Sequence, residues 1–284
     1  MREIKVDKIR AAAADLAKEA NFVLRKDVLG ALKSALLKEG DQRSRKILKA
    51  IINNAEIAKK EKLAICQDTG LPVVFGEIGQ EARVTGGSLA GAIHQGLALG
   101  YAQGSLRRSI VKDPLSRGGS GFSPAIIHTE IVPGDKIKLS LLPKGFGCEN
   151  KSQIRMFKPT ASLEEIKRFI LETVAKAGPD ACPPFVLGIG IGGTQDYAAY
   201  LAKKALLNKV KSQKSKVKNT NQKIYKLEKE LLKEINNLNI GPMGLGGKTT
   251  CLGVNILSYP THIAGLPVAV NISCHALRSA VKII

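Results

Sequence analysis

Three cysteines, far apart in the chain, stand where their chemistry is available. Cys66 opens CQDTG, in which a thiol, the Gln67 amide and the Asp68 carboxylate sit side by side before the glycine turn at Gly70. Cys182 lies in ACPPF and Cys274 in NISCHALR, each at the junction of a loop with an apolar run. A thiolate is a nucleophile and a soft metal ligand. A neighbouring amide and carboxylate can orient a polar substrate. Pro183 follows Cys182, as a proline follows iron-ligating cysteines in ferredoxin-type sites. Cys148 sits in the glycine-bearing loop KGFGCENKS and Cys251 begins an apolar run, so composition alone does not choose among the five.

Other polar motifs carry weaker chemistry. Of the four histidines, His94 and His128 fall on a small-residue helix and a strand, where packing is the default role. His275 adjoins Cys274, and His262 lies in a turn of SYPTHIAGLP, the kind of position from which side chains act. Gly188, Gly190 and Gly193 spell a dinucleotide fingerprint after a strand. The position about twenty residues on, where such a site needs an acid, falls instead in a lysine tract. These glycines are expected to let the backbone approach another group closely. Gly241 to Thr249 resembles a phosphate loop out of register by one, with Pro242 in the place of the first glycine. Together with Thr250 it could hold a carboxylate.

The elements that must position these residues are read from periodicity. Residues 6 to about 60 form a helical lead-in, with Ile9, Ala13, Leu16 and Ala17, then Val28, Leu32 and Leu36, then Ile47, Ile51 and Ala55 at helical spacing. Asp41 is placed to cap the third helix. A strand is predicted near Val73 to Ile78, then a small-residue helix through Ala102. Pro133-Gly134-Asp135 predicts a hairpin joining Ile126–Val132 to Lys136–Leu142. Leu163 to Ala177 reads as an amphipathic helix ended by Gly178. Phe185 to Ile191 is a buried strand, followed by helices from Thr194 and Tyr225 and strands near Leu252–Ser258 and Pro267–Ile272. The fold class is therefore mixed α/β (α+β): a helical lead-in over residues 1–62, then a mixed sheet with packed helices over 63–284. One domain covering 1–284 is expected.

The 284 residues are 44% hydrophobic, without an apolar run long enough to span a bilayer or a signal-peptide core. A soluble cytoplasmic protein is expected, with no membrane partner. The net charge of +20 raises nucleic-acid binding. Much of the excess lies in the tract over 203–234, which is poor in arginine and aromatics and so offers little base recognition. A solvated helical face is the simpler origin. An odd number of dispersed cysteines argues against a disulfide framework and a zinc ribbon.

CQDTG, KGFGCENKS, ACPPFVLGIGIGG, IGPMGLGGKTT and HIAGLPVAVNISC, in this order, resemble the iron–sulfur-dependent class I fumarate hydratase and tartrate dehydratase family, and its α subunit in particular. The resemblance covers the chain from the helical lead-in to the C-terminus. It implies a [4Fe-4S] cluster held by three thiolates, Cys66, Cys182 and Cys274. Cys148, where the family commonly has serine, and Cys251 are not ligands in this pattern. The open iron would act as a Lewis acid on the substrate. By likeness, Arg107 binds substrate, Gln67, Asp68 and the backbone of Gly147 line the same pocket, Asp68 contacts the hydroxyl and His262 assists. The segment RGGSGFSPA departs from the threonine-glycine-asparagine character usual before the hairpin.

ENKS and GGKTT favour reversible hydration of fumarate to malate, a tricarboxylic acid cycle step, with tartrate dehydration as the alternative. Single-chain relatives carry a further domain that supplies more cationic ligands and the base. The resemblance therefore implies a β subunit that completes the active site in a hetero-oligomer. From other classes, an iron–sulfur redox or sensor protein would have its cluster fully ligated. An anion- or nucleic-acid-binding protein would rest on the lysine tract.

Overall fold

The computed structural model describes residues 1–210 and 222–284. In chain order it holds β1 (Arg2–Lys5), α1 (Val6–Phe22), α2 (Lys26–Lys38), α3 (Gln42–Glu61), β2 (Leu71–Gly79), β3 (Ala82–Thr85) and α4 (Leu89–Gln103). Two short strands, β4 (Ile110–Val111) and β5 (Ser120–Gly121), precede β6 (Ile126–Val132), β7 (Ile137–Lys144), the one-turn α5 (Phe146–Glu149) and β8 (Gln153–Phe157). There follow α6 (Leu163–Ala177), β9 (Phe185–Gly193), α7 (Gln195–Ala205), α8 (Gln222–Asn236), β10 (Cys251–Thr261), β11 (Leu266–Ser273) and β12 (Ala280–Ile283). The fold is mixed α/β. The lysine tract falls partly on residues 211–221, outside the described residues. Among the described residues no helix is long and apolar enough to cross a membrane.

The chain divides into two compact units: Met1–Leu24, Ala55–Phe146 and Arg278–Ile284 form the first, Arg25–Asn54 and Gly147–Leu277 the second. In the first, four strands lie in the order β12-β7-β2-β6. Helix α1 buries Ile9, Ala13, Leu16, Ala17 and Ala20, the apolar stripe visible in its sequence, in a core shared with Ile93 and Leu97 of α4. The expected β6–β7 hairpin does not form. Strand β2 lies between them, parallel to β6 and antiparallel to β7. The reason lies at the turn: the backbone leaving β2 enters Pro133-Gly134-Asp135, where Gly79 N–H bonds Lys136 O, Gln80 N–H bonds Val132 O and Glu81 N–H bonds Gly134 O. The turn closes over a third strand instead of over itself.

In the second unit the order is β10-β9-β11-β8, with β10 parallel and β11 antiparallel to β9. Strand β9 alternates its faces. Phe185, Leu187 and Ile189 enter a core with Ile170 and Val174 of α6 and Leu231 and Ile235 of α8. Gly188 and Gly190 face α7, where an added Cβ would stand 2.0 Å from Ala202 O or Ala198 O. The fingerprint glycines therefore bring a helix down onto the sheet. Helix α6 begins with a capping box, Ser162 with Glu165, and α3 is capped by Asp41, whose Oδ2 accepts from Ser44 N–H at 2.7 Å.

Candidate functional site

In the first unit the Cys66–Gly70 loop is held from several sides. Ile65 N–H, just before it, donates to Asn21 O at 3.0 Å. The buried Tyr101 phenol donates to Thr69 O at 2.9 Å, and Thr69 Oγ1 accepts from Arg107 N–H at 3.1 Å. Asp68 Oδ1 accepts from Gly70 N–H at 2.9 Å and Oδ2 from Phe146 N–H at 2.8 Å, which fixes the carboxylate's orientation. Gly70 has φ +76°, and a Cβ there would meet the β7 backbone at 2.8 Å. What the loop presents is Cys66, half-buried, and Gln67, exposed, with Cys66 Sγ 3.3 Å from Gln67 Oε1.

Arg107 and Arg108 part company. Arg108 lies over the Phe122 ring at 5.5 Å, whereas Arg107 is exposed and, among the described residues, its guanidinium has no partner. One residue escaped the sequence analysis. Arg278, only 4% exposed, donates to Asp68 O, and its Nε is buried without a hydrogen bond. A lone arginine inside an apolar tail, Ala276-Leu277-Arg278, was the signal.

The second unit gathers Gly147, Cys148, Cys182 and Cys274 at one end of its sheet. Cys182 stands before β9 and Cys274 after the antiparallel β11, so both strands bring their cysteine to the same edge. His275 ties the two segments together: its backbone N–H and its Nδ1 lie 3.4 and 3.0 Å from Cys182 O. Cys182 itself is in the left-handed region, φ +51° and ψ +66°, which costs a non-glycine residue about 1 kcal/mol. Cys148 Sγ donates to Ala181 O at 3.3 Å, which seats the Gly147 turn beside the Cys182 turn. The glycine loop packs there too, with Met243 N–H bonding Pro183 O at 2.8 Å. Its anion is internal: Lys248 N–H donates to the buried Glu39 carboxylate at 2.7 Å.

His262 is at the other end. Strand β10 runs parallel to β9 and pairs Tyr259 with Gly192, so the turn after Thr261 lies beyond the far end of β9. At about 3.3 Å per strand residue, the length of β9 separates it from Cys182 and Cys274. His262 is exposed there, its Nδ1 accepting from Ala264 N–H at 3.2 Å.

The thiols sort by environment. All five are free. Burial pushes the Cys251 thiol up to about 12, far from a thiolate, and Cys148 is also buried. Cys66, Cys182 and Cys274 are half-buried at loop ends. These three are the more accessible thiols, Cys66 in the first unit and Cys182 and Cys274 in the second. Among the described residues no group of three or more His, Cys, Asp or Glu side chains could hold a single metal ion.

Comparison with known proteins extends over nearly the whole chain. Residues 10–282 match the family model described as fumarate hydratase (Fumerase). The putative L(+)-tartrate dehydratase subunit alpha of Methanocaldococcus jannaschii is 42% identical over 97% of both chains. The L(+)-tartrate dehydratase subunit alpha of Escherichia coli is 28% identical over 96% of this chain and 89% of its own.

Proposed function

This chain belongs to the fumarate hydratase (Fumerase) family, and from that membership we propose that it is the α subunit of a two-subunit hydro-lyase acting on a small dicarboxylate. The names of the relatives favour L(+)-tartrate as the acid that is dehydrated. Reversible hydration of fumarate to malate is the second reading, supported by the family model's description and by ENKS and GGKTT.

In this reading Cys66, Cys182 and Cys274 hold a [4Fe-4S] cluster, which when bound supplies a Lewis acid for the substrate's oxygens. The chain's own residues bind and orient. Arg107, exposed and without a guanidinium partner among the described residues, clamps a carboxylate through paired N–H groups. Gln67 and the Gly147 N–H hold the remaining substrate oxygens. Asp68, its carboxylate fixed by two backbone N–H groups, accepts a hydrogen bond from the substrate hydroxyl. His262, to which the resemblance gives an assisting role, lies a strand's length from the cysteine edge. A β subunit supplies further cationic ligands and the base that deprotonates carbon.

The observation that carries this proposal is the shared edge of the second sheet, where His275 joins the Cys182 and Cys274 segments and Cys148 draws in the Gly147 turn. Anaerobic turnover of tartrate and of fumarate, by the chain alone and with its β partner, tests it. Dehydration of tartrate that needs both chains is expected. Full turnover by the isolated chain would refute the divided site. Activity on fumarate with none on tartrate would reverse the order of the two substrates.

A further inference from the structure

Gly147 has no side chain, so the direction of its N–H is set only by how the backbone on either side is anchored. Two residues on, Glu149 is gripped by both oxygens. Oε1 forms an ion pair with Lys203 Nζ of α7, and Oε2 accepts from Asn271 Nδ2 of β11 at 3.0 Å. Lys203 and Glu149 side chains are 23% and 22% exposed, so this pair is less screened than a surface one. Backbone bonds close the turn behind it, Ser152 N–H to Glu149 O at 3.0 Å and Lys151 N–H to Cys148 O at 3.1 Å.

The placement of the grip follows from the glycine run of β9. Asn271 pairs with Gly188 in the antiparallel register, and residues so paired share a face of the sheet. That face is the one α7 covers, and the missing Cβ of Gly188 lets the Ala202 backbone down onto it. Lys203, the next residue, is thereby brought within reach of a carboxylate that Asn271 also holds. Asn271 is three residues before Cys274 on the same run of chain.

We propose that Glu149 is a positioning residue, clamped between Lys203 and Asn271 so that the Gly147 N–H keeps its register with the segment bearing Cys274. Nothing in the clamp touches substrate; it acts through the backbone of the turn. Its effect on catalysis rests on the Gly147 role proposed above, whereas its effect on the turn does not.

Two readouts separate these. In the anaerobically reconstituted α–β enzyme, Glu149→Ala and Lys203→Met should each raise KM about tenfold, the loss of one charged hydrogen bond, with kcat within about threefold and iron content unchanged. Glu149→Gln keeps an acceptor for Lys203 and an oxygen or amide for Asn271, and should restore most of the KM. In the isolated chain, hydrogen exchange at the amides of 147–152 should quicken about tenfold in the first two variants and recover in Glu149→Gln. Unchanged exchange in both Glu149→Ala and Lys203→Met would overturn the clamp. Quickened exchange with an unchanged KM would overturn its bearing on catalysis. A wild-type enzyme inactive on both acids would defeat the assigned reaction, and the exchange result would then decide the clamp alone. Should Glu149→Ala fail to fold, Lys203→Met and Glu149→Gln give the same comparison.

Discussion

The buried phenol of Tyr101 donates to the main-chain oxygen of Thr69 at 2.9 Å, one residue past the carboxylate of Asp68. Helix α4 thus reaches under the loop that carries Cys66 and fixes it from below. Tyr101→Phe leaves that carbonyl buried and unpaired, and should cost about 1–3 kcal/mol in chemical denaturation. Burial also pushes this phenol up to about 12. The folded chain therefore keeps a proton that the unfolded chain sheds from about pH 10. Its contribution is complete below that pH and declines from there through about 12. The stability difference between wild type and Tyr101→Phe should shrink across this window.

Adjacent arginines should behave differently. Arg108 is engaged with Phe122, so Arg108→Ala should lose about 0.5–1 kcal/mol of stability and leave KM nearly unchanged. Arg107→Ala should raise KM about tenfold or more with little change in melting temperature. Steady-state kinetics beside thermal unfolding checks both, and the opposite pattern would move the substrate arginine by one position.

Gly188→Ala places a methyl group 2.0 Å from Ala202 O, and backbone cannot yield as a side chain tip does. A loss of about 1–3 kcal/mol or more is expected from denaturant titration. The same substitution at Gly134, with nothing within 4 Å but φ +108°, should cost only the strain of its turn.

Much of this was legible beforehand. The α6 boundaries, the Asp41 cap and the β9 strand followed from periodicity and capping residues, which are local signals. The close approach behind Gly188 and Gly190 was also readable, since glycine there had no other use. The β6–β7 hairpin failed because a turn signal does not say which strand it encloses, and β2 comes from more than fifty residues upstream. Strands β1, β3, β8 and β12 are short and borrow their order from partners distant in sequence. In the candidate site, CQDTG and the cysteine motifs stood out by composition. Arg278 and the Glu149 clamp did not, because a buried ion or a two-sided grip is visible only once tertiary contacts exist.

Thiol reactivity offers a check that needs no partner chain. In the cluster-free chain at about pH 8, iodoacetamide should modify Cys66, Cys182 and Cys274 well before Cys148 and Cys251. Burial holds Cys251 protonated, up to about 12, so it should label last. Peptide mass spectrometry after timed quenching gives the order. Early labelling of Cys251 would contradict its placement in the core.

The most direct test is the iron and sulfide content of five single Cys→Ser variants, each reconstituted without oxygen. Cys148→Ser and Cys251→Ser should carry a full cluster, about four irons per chain, whereas Cys66→Ser, Cys182→Ser and Cys274→Ser should each carry almost none. A full cluster in any of the last three, or its loss in Cys148→Ser with the fold intact, would contradict the assignment of the ligands.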